Sequence, residues 1–527
     1  MEISNNPQTY GLPAKFAQWY PWQKELIEFV LNSSKKFVVL SAPTGIGKTA
    51  VGMALANIMN CRTYYVVGTK NLQDQIEKEF SSMGVKTIRG RSNFGCVIEP
   101  SLTPEDCKFE QLTGNYRKCP AANVCFYFVQ RNAAQKSRIT VFNYAGAITS
   151  WNYTQGWGRA GLIIADECDQ ASDWLSNMIK IRFGYHDFAG HGYSFPGESL
   201  EEIKTMLFEL HVKASEKLAE LKKLDVKTAT KEELVAMKRC NNLIRRLVFF
   251  ETVYEDNWLL THETKRDKRF WHISFEPIWS RKFGHMLYEH GEKAVFMSAT
   301  PGSKEEFCFK LGLDPEEVDY IEVPSPFPVE NRKIVYMPCG DMSMKYYQKN
   351  RSNMMAAIDN IISERLDQKG VIHTPSYSMA KDIAQMSRYG PYMFLVGQED
   401  NKTEILQKFK NASPPSILVS PVHGRGIDLP DDECRFAIIP KVLWPDLGDE
   451  KVKRRLAERE SWYSAQAVDA IVQAAGRIVR SASDWGTVYL LDTQVRRLLY
   501  QHPELWPLWF VEAMYELKGR SENGPEG

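Results

Sequence analysis

Ala42-Pro43-Thr44-Gly45-Ile46-Gly47-Lys48-Thr49 holds the residue types that bind a nucleoside triphosphate. Gly45 and Gly47 let backbone N–H groups approach phosphate oxygens that a side chain would hold off. Lys48 can carry charge to the β- and γ-phosphates, and the Thr49 hydroxyl can ligate Mg²⁺. Asp166-Glu167-Cys168-Asp169 supplies carboxylates for the same chemistry. Asp166 can hold Mg²⁺ through water, and Glu167 can orient and deprotonate the attacking water. Gln473, Arg477 and Arg480 form a third set, because arginines beside a nucleotide can neutralise γ-phosphate charge in the transition state. Alone, the arginines would read as surface salt bridges. Together the sets predict an ATPase.

These residues need a scaffold, and the chain supplies an α/β one. An apolar run over residues 37–41 reads as a strand, and an alanine-rich helical pattern follows the glycine loop. The helix N-terminus then adds partial positive charge at the phosphates. Residues 161–165 form a second apolar strand, whose C-terminal end carries the acidic box, where α/β sheets place their chemistry. Residues 294–297 read as another buried strand ending in Ser298 and Thr300. After the proline-dense linker 324–328, a second α/β unit shows strands at 333–337, 370–374, 416–420 and 436–440. A helix around residues 473–480 is expected to put Gln473, Arg477 and Arg480 on one face. Residues 184–284 read as helical and charged without strand-rich alternation, and past Asp492 the chain reads as helical. Residues 521–527 read as a disordered tail.

Other residues invite ligands. Gln23, on a helical pattern over residues 16–31, could pair with an adenine edge, since its amide both donates and accepts; a surface glutamine is the alternative. Thr69, Lys70 and Gln73 stand where a strand runs into a helix and could hold a phosphodiester, or Thr69 could simply cap the helix. Cys96, Cys107, Cys119 and Cys125 fall in one short stretch of a chain with ten cysteines. Their C-x10-C-x11-C-x5-C spacing lacks paired C-x2-C knuckles. Four such thiolates suit a [4Fe–4S] cluster, with zinc or unmetallated thiols as alternatives. Arg89, Arg91, Arg117, Lys118, Arg131, Lys136 and Arg138, interleaved with Phe94, Tyr116, Phe126 and Tyr127, could form a single-strand platform.

Composition adds bounds. A net charge of +1 gives no hint of a nucleic-acid partner, and the basic runs at 265–269 and 451–455 read as solvated faces. No apolar run approaches the about 20 residues of a membrane span, and the polar N-terminal residues lack a signal-peptide core. A cytoplasmic protein is expected.

In order and spacing these motifs resemble the superfamily 2 iron–sulfur DNA helicases of the XPD/DinG type. The resemblance rests on Tyr20-Pro21-Trp22-Gln23, residues 42–49 and 69–75, the four cysteines, residues 166–169 and 297–300, Ser325-Pro326-Phe327-Pro328 with Asn331-Arg332, His373-Thr374-Pro375-Ser376, residues 424–428 and residues 473–480. It implies two RecA-like P-loop domains, with a small Fe–S domain and a helical arch-like domain inserted in the first. The boundaries would be 1–90, 132–183 and 285–323 for the first motor domain, 91–131 for the cluster, 184–284 for the arch and 324–520 for the second motor domain. It also implies ATP, Mg²⁺ and a [4Fe–4S] cluster as cofactors, and Gly426 and Asp428 beside ATP. Asn143, Tyr144, Thr374 and Ser376 would join Thr69, Lys70, Gln73 and Arg91 on the DNA. The partners would be single-stranded and forked DNA, met by a monomer moving 5′→3′. Three features depart from the family: Asp169 stands where it has a histidine, the first two cysteines are close together, and the arch is short. A compact, virus-encoded relative would fit. An ATP-switched clamp that does not unwind duplexes is the alternative activity.

Overall fold

The computed structural model describes residues 3–192, 199–226, 228–264, 271–397, 401–421, 429, 431–479, 481 and 483–516. Apolar runs free of charge become strands buried on both faces, as parallel sheets require. They begin with β1 (Phe37–Ser41) and β2 (Thr63–Val67) and, after the two-residue edge strand β3 (Lys86–Thr87) with its exposed lysine, continue with β4 (Ile139–Asn143) and β5 (Ala160–Asp166). Next, β6 (Ile181–Gly184), β7 (Leu259–Thr264) and β8 (Trp271–Glu276) form a separate antiparallel sheet. The chain then returns through β9 (Gly291–Ser298) and β10 (Val318–Glu322) to complete a seven-stranded parallel sheet ordered β10-β1-β9-β5-β2-β4-β3.

That order fixes the site. Because β9 lies between β1 and β5, Ser41 sits opposite Ser298, and Asp166 opposite Met297. Three strands from distant parts of the chain therefore end side by side. Alternate residues of β1 serve different cores, Phe37 and Val39 one face, Val38 and Leu40 the other.

The second sheet contains β11 (Arg332–Gly340), β12 (Lys369–Thr374), β13 (Met393–Leu395), β14 (Ser416–Pro421), β15 (Phe436–Ile439), β16 (Gly486–Asp492) and β17 (Met514–Glu516). It too is seven-stranded and parallel, ordered β13-β14-β12-β15-β16-β11-β17. The two α/β units thus share an architecture. Among the described residues no helix is long and apolar enough to cross a membrane.

Several sequence expectations need correction. The stretch after Gly184 is not purely helical. Its two long helices, Leu200–Leu221 and Lys231–Val253, are flanked by the small antiparallel sheet. Strands of four to six residues carry too short a period-two signal to be read. The first helix begins at Gln23, not near residue 16, because Trp22 takes a left-handed φ of 71°. Past Asp492 the chain adds the edge strand β17. The run 451–455 is a solvated face only in part: Lys453 and Arg454 are exposed, but Lys451 pairs with Glu276 at 3.0 Å and Arg455 is buried, donating to the Ile278 carbonyl at 2.7 Å. Residues 265–269 and 521–527 lie outside the described residues.

Gly370 in β12 pairs with Phe436 in β15, and a methyl group at Gly370 would overlap the Phe436 ring. Overpacking of this kind costs about 1–3 kcal/mol. Gly370→Ala should lower the unfolding free energy of the second α/β unit by that amount in denaturant titration, and an unchanged value would refute this account of β12–β15 packing.

Candidate nucleotide site between the two sheets

The glycine loop leaves β1 with Gly45 and Gly47 at φ 82° and 79°, conformations open to glycine and costly for other residues. The Ala42 N–H bonds the Ser298 carbonyl at 2.9 Å, tying the loop to β9. Lys48, first residue of the helix Lys48–Ile58, curls back to donate to the carbonyls of Ala42 (2.9 Å) and Pro43 (3.1 Å). Burial pulls its pKa down, while Asp166, Asp169 and Glu167 oppose the fall. Gln23 is buried. Its Oε1 accepts from the Tyr20 N–H at 2.9 Å, and its Nε2 donates to the Ile46 carbonyl at 2.7 Å. In this arrangement Gln23 braces the loop and presents no free amide edge to a base.

At the end of β5, the Asp166 carboxylate accepts from the Tyr65 hydroxyl at 3.0 Å and from the Glu167 N–H at 3.0 Å. Tyr65 also hydrogen-bonds Thr49, joining the loop to the acidic box. Glu167 takes a left-handed φ of 52°, and Gln170 donates to its Oε2 at 3.1 Å. Burial raises the pKa of both Asp166 and Glu167; Lys48 opposes this, and at Glu167 the neighbouring Asp166 and Asp169 add to the rise. A raised carboxyl is closer to what a general base needs. Sequence reasoning missed Gly68. It ends β2 against this carboxylate, and a methyl group there would collide with Glu167 Oε2.

Asp169 spans the cleft. Its Oδ1 accepts from Ser298 at 2.6 Å and its Oδ2 from Gln473 Nε2 at 3.1 Å. Gln473 also reaches Thr300 Oγ1 at 3.2 Å, and Thr44 donates to the Gly476 carbonyl at 2.7 Å. The expected helix through Arg480 is corrected: the helix Glu460–Ala475 stops where Gly476 caps it on the Val472 carbonyl. Gln473 lies on its last turn, so Arg477 does not share its helical face. Arg477 instead approaches His373 at the end of β12; burial and that guanidinium hold the imidazole down to about 3, so it stays neutral. Arg480, Gly426 and Asp428 lie outside the described residues. A small cleft opens beside the loop, lined by Pro43, Thr44, Phe327, Gly476 and Trp509 among others.

Of the residues assigned to DNA, three are corrected. Gln73 is fully buried and spends its amide on the carbonyls of Ile88 and Val141. Tyr144 is buried and donates to the Asp166 carbonyl at 2.9 Å. Thr374 is buried and donates to the Ser376 carbonyl at 3.1 Å. Thr69, Asn143 and Ser376 cap helices, while Lys70 donates to Asn93 at 2.8 Å from an exposed position. Much of the basic set near the cysteines is also engaged. Arg91 forks onto Glu110, Arg89 pairs with Asp74, and Arg131 and Arg138 donate to backbone carbonyls. Tyr127 and Phe128 are buried, and Tyr116 stacks on Phe128 at 3.6 Å. Arg117, Lys118, Lys136 and Phe126 remain exposed.

Cys96, Cys107, Cys119 and Cys125 line one small pocket with Val97, Ile98 and Pro104, and all four are free thiols. Burial pushes the Cys107 and Cys119 thiols up, and at Cys119 the nearby Cys96 and Cys125 add to it. Among the described residues, no three thiol, imidazole or carboxylate groups converge closely enough to share one metal ion. The donor chemistry, four thiols around one cavity, fits a group that spreads its ligands over several irons.

Two family profiles match the chain: a type III restriction enzyme res subunit over residues 16–181, and a helicase C-terminal domain over residues 360–506. The chain is 20% identical to the ATP-dependent DNA helicase YoaA of Haemophilus influenzae, with 88% of each covered. It is 23% identical to YoaA of Escherichia coli over 41% of this chain and 35% of that protein. A solved XPD helicase superposes with a TM-score of 0.63 at 17% identity, covering 94% of this chain and 99% of the other. The paired parallel sheets match the fold of the solved XPD helicase, two RecA-like α/β units, and the chain is similar in sequence to ATP-dependent DNA helicases.

Proposed function

We propose that the chain is an ATP-dependent DNA helicase that moves 5′→3′ along single-stranded DNA and separates duplexes. The observation that carries this reading is the Asp169 carboxylate, which touches Ser298 on one side of the cleft and Gln473 on the other. A group bonded to both halves can translate a change at the nucleotide into relative domain movement. The relatives named YoaA are DNA helicases by name, which supports DNA as the polymer.

In this reading the N–H groups of the loop and Lys48 hold the phosphates, after Lys48 leaves the Ala42 and Pro43 carbonyls. Thr49 and Asp166 would hold Mg²⁺, which neutralises phosphate charge when bound. Glu167, held by Gln170, orients the attacking water and takes its proton. Arg477 and Arg480 act on the γ-phosphate from the second domain, with Gly426 and Asp428 nearby. Cys96, Cys107, Cys119 and Cys125 would hold a [4Fe–4S] cluster that staples a segment poor in apolar core. The two long helices with the small sheet would form the arch-like domain. Thr69, Lys70, Asn143 and Ser376 offer the DNA-facing positions that are not fully buried.

The test is ATP turnover with and without single-stranded DNA, beside strand displacement on 5′-tailed and 3′-tailed duplexes. Stimulated turnover with displacement of the 5′-tailed substrate alone is expected. Stimulated turnover with no displacement of either would replace the helicase by a clamp.

Gly68→Ala should push the Glu167 carboxylate from its place without touching the loop. Misplacement of a reacting group by about 1 Å can cost about 100-fold. Turnover should fall toward that extent with nucleotide affinity held within about twofold, and full turnover would return Glu167 to a structural role.

Cys119→Ser should strip the cluster from an otherwise yellow-brown protein. Iron and sulfide analysis of anaerobically purified chain should give about four of each for the parent and little for the variant. ATP binding should survive, since the loop and acidic box lie outside that segment. One zinc and no sulfide in the parent would remove the cluster.

A further inference from the structure

The helix Lys304–Leu311 follows the Ser298–Thr300 segment and turns two opposite charges, Glu306 and Lys310, toward the second domain. They stand one helical turn apart and so share a face. Glu306 is buried and accepts from Arg459 at 2.7 Å and from Ser461 at 2.8 Å. Lys310 stands 3.6 Å from Asp469, both side chains largely buried. Arg459 also lies over the Phe309 ring at 4.2 Å. Arg459 caps the helix Glu460–Ala475, Ser461 opens it, and Asp469 lies one turn before Gln473 on it.

We propose that Glu306 and Lys310 form a two-point latch with Arg459, Ser461 and Asp469, and that this latch positions Gln473 on Asp169 and Thr300. None of these five residues touches the nucleotide loop or the acidic box, so they are positioning residues. The inference rests on the nucleotide-hydrolysis reading of the site. The polarity makes the latch selective: a slide of the helix would carry Lys310 toward Arg459 or Glu306 toward Asp469, like charge on like. Burial, with Asp169 and Glu306 nearby, raises the Asp469 carboxyl to about 6 although Lys310 opposes the rise, so Asp469 depends on its partner. Glu306 Oε2 is buried with no hydrogen-bond partner among the described residues, so the carboxylate leans on Arg459 and Ser461 through a single oxygen.

The test uses Lys310→Met, Asp469→Asn and their combination in the full chain, with Arg459→Gln for the second contact. Two readouts are needed: steady-state ATP turnover, and domain separation followed by energy transfer between dyes on the two α/β units. Each single variant should lower kcat about tenfold, within the range of coupled pairs, while KM for ATP stays within about twofold. The double variant should be no worse than the poorer single one. Energy transfer should fall in all four variants without nucleotide. Independent, multiplying losses in kcat, a matching rise in KM, or unchanged energy transfer would overturn the latch. If the parent turned over no ATP but the variants still opened, the latch would stand and the functional reading would fall. A variant that failed to fold would be judged through Arg459→Gln, whose guanidinium is partly exposed and carries no core.

Discussion

The structure depends on the carboxylate of Asp169. Three groups from two domains meet there: Ser298 lies at the end of β9, Thr300 just beyond it, and Gln473 on the last turn of a second-domain helix. One short acidic side chain reaches the first and the last directly. A carboxylate accepts from a hydroxyl and from an amide at once, which needs no choice of tautomer. The bond between Thr44 and the Gly476 carbonyl adds a second strap on the opposite side of the loop.

Burial and charge oppose each other across the site. Lys48, Asp166 and Glu167 are all drawn toward their neutral forms by burial; Lys48 and the carboxylates hold one another back, while Asp166 pushes Glu167 further. An isolated buried charge costs several kcal/mol, about what a close partner of opposite sign returns. The Lys48 ammonium bonds two carbonyls of its own loop, so phosphate oxygens must displace contacts that are already adequate. The same balance leaves Glu167 poised, with its geometry set by a left-handed backbone, Gln170 and the missing side chain of Gly68.

The parts legible in the sequence were those whose signal is local. Uncharged apolar runs ending in glycine, carboxylate or hydroxyl residues gave the strands and their order of use, since burial on both faces leaves no room for charge. What was not legible came from packing between distant segments. Gln73, Tyr144 and Thr374 look like surface polar residues at strand ends, yet each is spent on a neighbouring carbonyl. A single-residue feature, Gly476, ended the helix that was expected to carry Arg477. The small antiparallel sheet escaped because its partners are separated by up to two long helices and a loop. The cysteine spacing announced a shared ligand, and their common cavity follows from loops that carry no regular pattern.

The contact between the two α/β units is built from ions and rings, and this bears on what the units can do. Arg455 lies between Trp279 and Trp462, with its guanidinium 4.9 Å and 5.1 Å from their centroids. Lys451 and Lys180 share Glu276, and Arg459 holds Glu306. An apolar interface of this extent would fuse the units, because hydrophobic area is lost in proportion when they part. Buried ion pairs behave differently, since a partner left alone is a desolvated charge, so they specify which groups must face one another. The fixed pattern of signs lets these groups meet in only one register. Lys451 and Arg455, which charge alone would assign to solvent, are thus part of that contact.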